Sequence, residues 1–136
     1  MKEIAWYVAN PPKYVFGGKI QKSGGKITDC SDFVFNCFLN AGFLVSYVPA
    51  KEMAKGLGGW GRIWHSVDIF DTKELDTIFY TFTTNRINGH VSIVIYDPKS
   101  KLFMVAHASE SHGKVVLVAP TGTMLNCITE ARRINE

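Results

Sequence analysis

The spacing of hydrophobic positions changes character along the chain. From Cys30 to Ala41 they recur at i, i+3, i+4, i+7, i+8 and i+11 (Cys30, Phe33, Val34, Cys37, Phe38, Ala41). That is one continuous stripe at the helical period. Thr28 or Asp29 offers an oxygen for the N-cap, Ser31 and Asp32 suit the first turn, and Gly42 supplies a left-handed stop. Beyond residue 74 the segments "LDTIFYTFTT", "HVSIVIY", "KLFMVAHAS" and "GKVVLVAP" read as strands, with "EARRIN" closing the sheet at its edge. Before the helix, Ile4 to Val8 reads as a helical turn stopped by Asn10-Pro11-Pro12. Between helix and strands, "PAKEMAKGLGGWGRIWH" starts as a short helix and passes into a glycine-rich loop. A helix followed by an antiparallel meander predicts an α+β fold, with residues 1–136 forming one domain.

Composition narrows the class. Apolar residues make up 46% of the 136, which excludes disordered and fibrous chains. The net charge of +3 is spread out, with clusters only at Lys13/Lys19/Lys22/Lys26 and Arg132/Arg133. A solvated face accounts for these lysines, and nothing points to nucleic acid. Three cysteines do not make a disulfide framework: Cys30 and Cys37 share a helix face but stand about 10 Å apart along it, beyond bridging distance. Whether Cys127 pairs with either is open. No CxxC and no Cys/His pair at ligand spacing supports a metal site, and no cofactor is expected. The N-terminal segment has no apolar run of signal-peptide or membrane-span length. The expectation is therefore a protein made in the cytoplasm that either stays there or leaves by a non-classical route.

Candidate chemistry centres on Cys30. A thiolate is the reactive form of cysteine, and the unpaired N–H groups of a helix's first turn favour it. A buried core cysteine is the plain alternative, and Cys37 is read that way. A nucleophilic thiol needs a base, and the following hairpin offers one. If Asp97 to Ser100 form its loop, Tyr96 faces Lys101 and His90 lies directly opposite His107. The period of two then puts His90, Ser92, Val94 and Tyr96 on one face with His107, Val105 and Phe103. Val91, Ile93 and Ile95 form the opposite, apolar face with Leu102, Met104 and Ala106. Facing side chains lie about 5 Å apart at Cβ, so the two imidazoles suit a base and its orienting partner. His65 and His112 are read as loop residues. Trp60 and Trp64 could line a sugar or peptide groove, but core packing explains them as well, and they stand outside the predicted site.

These pieces resemble the NlpC-type cysteine peptidases, compact papain-like cell-wall hydrolases. Four motifs stand in the family's order: Tyr14-Val15-Phe16-Gly17-Gly18, Asp29-Cys30-Ser31-Asp32-Phe33-Val34, His90-Val91-Ser92-Ile93-Val94 and His107-Ala108-Ser109. The terminal "ARRI" is similar to the family's last strand, so the resemblance spans about residues 14–134. It implies a helix bearing the nucleophile, packed on a central antiparallel sheet. Cys30 would be the nucleophile, His90 the base and His107 the orienting residue, with the Cys30 backbone amide holding an oxyanion. Tyr14 would set its hydroxyl beside that centre, and Asp29 and Ser31 would line the substrate pocket.

Three departures bear on specificity. Asp32 stands where the family has glycine, "FYTFTTNRING" replaces the usual Pro-Gly-Asp-Leu lead into the histidine strand, and "LVSYVPAKEM" replaces Leu-Pro-Arg after the helix. The His90–His107 spacing exceeds the family's by an even number, which lengthens the hairpin without exchanging its faces. The expected function is hydrolysis of an amide in the peptidoglycan stem peptide, at a γ-D-glutamyl–diaminopimelate bond. The alternatives are a CHAP-type amidase cutting between muramic acid and L-alanine, and a non-catalytic phage or secretion-system module retaining the fold. The partner implied is the stem peptide, with an immunity protein or delivery machinery as further possibilities.

Overall fold

The computed structural model describes residues 1–136. Six helices are present: α1 (Lys2–Ala9), α2 (Ile20–Ser23), α3 (Cys30–Asn40), α4 (Ala50–Ala54), α5 (Trp60–Ile63) and α6 (Gly122–Cys127), with a 3₁₀ turn at Leu57–Gly59. Eight strands complete the fold: β1 (Lys13–Tyr14), β2 (Ile27–Thr28), β3 (Trp64–Val67), β4 (Thr77–Tyr80), β5 (His90–Asp97), β6 (Leu102–Ser109), β7 (Lys114–Val118) and β8 (Ile128–Ile134). They form one sheet in the order β2-β1-β7-β6-β5-β4-β8-β3. All neighbours are antiparallel except β1 and β2.

Helix α3 forms where its periodicity predicts, and both ends are closed by local chemistry. Of the two candidate caps, Asp29 serves: its Oδ1 accepts the Asp32 N–H at 2.9 Å. At the far end Gly42 takes φ +95°, the Gly42 N–H reaches the Leu39 carbonyl, and the Phe43 N–H reaches that of Phe38. This is a Schellman closure, and Phe43 packs on Phe38 with ring centroids 5.3 Å apart. The apolar stripe ends one turn early, because Ala41 lies beyond the covered part of the helix and is exposed.

Inward-facing α3 residues Phe33, Val34, Cys37 and Phe38 pack over Val91 and Ile93 of β5 and Ala106 and Ala108 of β6. The glycine-rich segment predicted as a loop instead folds as α5 and β3, and both tryptophans join this core. Trp60 is fully buried, 4.9 Å from Trp64 and 5.1 Å from Phe38 between ring centroids, and its Nε1 donates to the Ser46 carbonyl at 2.9 Å. A groove role for them is thereby removed. Replacing Trp60 with alanine leaves a large cavity and an unmet Ser46 carbonyl, a loss of about 3–5 kcal/mol. Thermal unfolding of Trp60→Ala is expected at least about 10 °C below wild type; an unchanged midpoint would contradict this packing.

The opposite face of the central strands is covered too, by a smaller cluster of Ile78, Tyr80, Val94, Val105, Met124 and Ala131. Two elements sit elsewhere than the sequence suggests. β8 is not the edge: it lies between β4 and β3, and Trp64–Val67 is the terminal strand. His65 is consequently a strand residue, its Nδ1 2.7 Å from Asn135 Oδ1.

The β5–β6 hairpin differs in register. Asp97 faces Leu102, Tyr96 faces Phe103 and Ile93 faces Ala106. The loop is Pro98–Lys101, with Lys101 at φ +58° and the Asp97 carboxylate accepting the N–H groups of Lys99 and Ser100. The shift relative to the expected pairing is two residues, so every side chain keeps its face. His107 therefore lies level with Ser92 and diagonal to His90.

Candidate active site

Cys30 is the first residue of α3 and His90 the first residue of β5. Cys30 Sγ lies 3.7 Å from the carbonyl oxygen of Gly89, the residue immediately before His90. Diagonal placement does not separate the histidines: His90 Nε2 and His107 Nδ1 are 2.8 Å apart, with the rings nearly perpendicular at 80°. Cys30, His90, His107 and Tyr14 all line one cavity of about 720 Å³.

A single proton lies between the two imidazoles, and its position decides what they can do. If His90 Nε2–H donates to His107 Nδ1, His90 Nδ1 is bare. That nitrogen is the one nearer the backbone, where Sγ approaches the Gly89 carbonyl. His107 then carries its own proton on Nε2, which is buried without a partner. The His90 ring is held by aromatic neighbours, Tyr80 and Phe82, each 5.5 Å away between centroids. Behind it the Tyr80 hydroxyl meets Ser92 Oγ at 2.8 Å.

The turn leading into His90 is built from the stretch "NRING". Asn88 adopts φ +52°, its N–H donates to Thr81 Oγ1 at 2.9 Å, and its side chain bonds Glu130 and Thr129 of β8. Gly89 is required by crowding: a Cβ there would lie 2.9 Å from both Arg86 Cβ and the Arg86 carbonyl oxygen.

Burial sets the protonation states. The thiol of Cys30 is pushed up to about 11, by desolvation first and then by the Asp29 carboxylate. The N–H groups of Ser31 and Val91 pull the other way without offsetting it. The expectation of a thiol ionised by its helix terminus is thus corrected: in the free protein desolvation outweighs the first-turn amides. Burial also lowers His90 to about 3, with His107 and Arg86 adding to it, and lowers His107 to about 4, with His112 adding. At neutral pH the site holds a neutral thiol and two neutral imidazoles.

These shifts imply a stability trend. Both histidines titrate in the folded state below their ordinary value of 6.5. Between the folded and unfolded values the unfolded chain binds more protons, so stability is lost as pH falls through that window. The melting midpoint is expected to drop between about pH 6.5 and pH 5, above the main carboxylate range. The drop should shrink in His107→Asn; a flat profile for wild type would contradict the buried neutral pair.

The predicted binding residues are distributed differently. Tyr14 lines the cavity, its phenol raised by burial and then by Cys30 and Glu110. Asp29 and Ser31 are 6% and 4% exposed and lie outside the cavity wall. Asp29 caps α3 and accepts the Gly17 N–H at 3.0 Å, while Ser31 Oγ bonds Asp29 and the Tyr47 hydroxyl. Asp32 is equally internal: its carboxylate accepts from the Ile20 N–H, the Thr28 hydroxyl and the Asn36 amide. These bonds tie the Gly17–Ile20 loop to the helix start. Arg86, Glu110 and His112 do line the cavity. Nothing in the sequence singles out Arg86 or Glu110, and His112, read as a loop residue outside the site, does sit in a turn but reaches the cavity. Their only sequence signal was proximity to the two histidine strands, since each sits in a turn with no motif of its own.

All three cysteines are free. No group of three His, Cys, Asp or Glu side chains is placed to hold a metal ion, and no helix is long and apolar enough to cross a membrane.

No protein-family model matches the chain, and no curated protein matches it either. Solved structures do. A protein similar to NLP/P60-family lipoproteins from Staphylococcus aureus superposes over 100% of this chain at 20% identity, with a TM-score of 0.66. The peptidoglycan hydrolase RipB from Mycobacterium tuberculosis superposes over 83% of it at 24% identity, with a TM-score of 0.56. The chain spans 40% and 49% of those two chains respectively. The mixed helix-and-sheet fold is therefore like that of NLP/P60 structures.

Proposed function

We propose that this chain is a cysteine peptidase of the cell wall that hydrolyses an amide in the peptidoglycan stem peptide, between D-glutamate and diaminopimelate. The observation that carries this reading is the meeting of Cys30, His90 and His107 in one open cavity of an NLP/P60-like fold. A binding module has no need for a thiol at a helix start beside two hydrogen-bonded imidazoles.

The chemistry follows from the neutral resting state. As Sγ attacks the scissile carbonyl carbon, His90 Nδ1 takes the thiol proton. The tetrahedral oxyanion is held by the Cys30 N–H, one of the first-turn donors that a helix leaves without an internal partner. His90, now an imidazolium, keeps its Nε2–H on His107 Nδ1, which fixes the ring and spreads its charge. His90 then protonates the leaving amine, and the acyl group remains on Sγ as a thioester. Water enters, gives a proton to His90 and attacks the thioester carbonyl; the thiol regains the proton as the carboxylate product leaves. Tyr14 stands beside this centre to position the acyl portion.

Mass spectrometry of muropeptides after digestion tests the reading. A new diaminopimelate amino terminus is the expected product. Release of an alanine amino terminus with a free lactyl carboxylate would instead identify a muramoyl-L-alanine amidase. Unchanged muropeptides would remove the enzyme reading.

A further inference from the structure

We propose that Arg86 is the specificity residue for a carboxylate that the substrate carries beside the scissile amide. This inference takes the location of the reacting bond from the hydrolase reading above and adds the group recognised next to it.

Arg86 lines the same cavity as Cys30 and His90. The protein's ion pairs are Arg132–Glu130 and Arg133–Asp76, so the Arg86 guanidinium has no carboxylate of its own. Its backbone is fixed at both ends of a tight turn, the Arg86 N–H on Thr83 O at 3.1 Å and the Gly89 N–H on Arg86 O at 3.0 Å. The side chain lies back over that turn: Nε is 3.4 Å from where a Cβ on Gly89 would stand. The Gly89 carbonyl is also the group that receives the Cys30 thiol. An unpaired cation is thus held beside Gly89, the residue whose carbonyl faces the Cys30 sulfur.

Phe16 lies against the Arg86 guanidinium. Its ring is 75% exposed, and the guanidinium carbon sits 5.6 Å from the ring centroid. A cation at this range is attracted by the ring's quadrupole, and the guanidinium N–H fork, which pairs with no carboxylate in the protein, can match one bidentately. Glu110 lines the same cavity without pairing to Arg86. Its charge repels an anion from that wall and turns a substrate carboxylate toward Arg86.

The test uses Cys30→Ala protein, which holds substrate without turnover, and calorimetry with two probes. One is the stem tripeptide L-alanyl-γ-D-glutamyl-diaminopimelate; the other is the same peptide with its carboxylates converted to carboxamides. The free tripeptide is expected to bind at least about tenfold tighter. Adding Arg86→Ala should erase the difference, while Arg86→Lys should keep part of it. Equal binding of both peptides, a preference that survives Arg86→Ala, or no binding of either would overturn the proposal. Hydrolysis by Cys30-intact protein runs in parallel, with Arg86→Ala expected to raise KM about tenfold at nearly unchanged kcat. Arg86-dependent binding without hydrolysis would sink the hydrolase reading and leave the carboxylate site standing.

Discussion

Cys30→Ser is expected to fold like wild type and to lose at least about ten-thousandfold in amide hydrolysis. The substitution is nearly isosteric at a position only 8% exposed, and the new hydroxyl can still donate to the Gly89 carbonyl that now receives the thiol. Packing and the start of α3 are therefore untouched. What changes is the nucleophile: a serine hydroxyl is far harder to deprotonate than a thiol and is intrinsically less nucleophilic. Circular dichroism showing the wild-type melting midpoint, together with muropeptide turnover at background, is the expected pair of results. Wild-type turnover in Cys30→Ser would place the chemistry elsewhere.

His90→Gln is expected to lower kcat about a thousandfold while leaving KM within a few fold. Glutamine keeps a polar group near His107 but offers no nitrogen that can take the thiol proton. The comparison that separates proton transfer from architecture is at His107. His107→Asn keeps an acceptor near the His90 Nε2–H and should retain much of the activity. His107→Ala removes the 2.8 Å partner and should lose about a hundredfold. Wild type should hold its kcat/KM down to about pH 5, because burial keeps His90 and His107 neutral well below 6.5. An acid limb centred at the ordinary histidine value, or equal activity in His107→Ala and His107→Asn, would contradict these roles.

The parts of the fold that were legible in the sequence are those decided locally. Helix α3 was readable because its stripe, its Asp29 cap and its Gly42 stop all lie within the segment they define. The hairpin's faces were readable because side chains alternate with a period of two, and a register displaced by two residues preserves them. That is why the histidines still meet even though the turn lies one residue further along than expected. The position of β8 beside β4 was not readable, since long-range pairing leaves no mark on either strand. Nor was β3, whose four residues come just after a glycine-rich run and hold only Trp64 and Val67 as apolar positions.

The site divides along the same line. Cys30, His90 and His107 announce themselves by residue type and order. Asp29 and Ser31 carry the same kind of signal, yet both turn inward, where the cap of α3 and the Tyr47 hydroxyl use up their hydrogen-bonding capacity. The ionisation state of Cys30 was misjudged because the helix terminus is visible in the sequence and the surrounding desolvation is not. Arg86 came from a loop whose contribution depends on where Gly89 and Phe16 place it in space.

The most direct measurement is rapid acid quenching of protein mixed with stem tripeptide, followed by intact-mass and peptide-level mass spectrometry. The expected result is an adduct equal to the acyl half of the substrate, located on Cys30 and released by hydroxylamine as a thioester should be. Hydrolysis that proceeds with no adduct on Cys30 under any quench time, or an adduct on a different residue, would contradict covalent catalysis through Cys30.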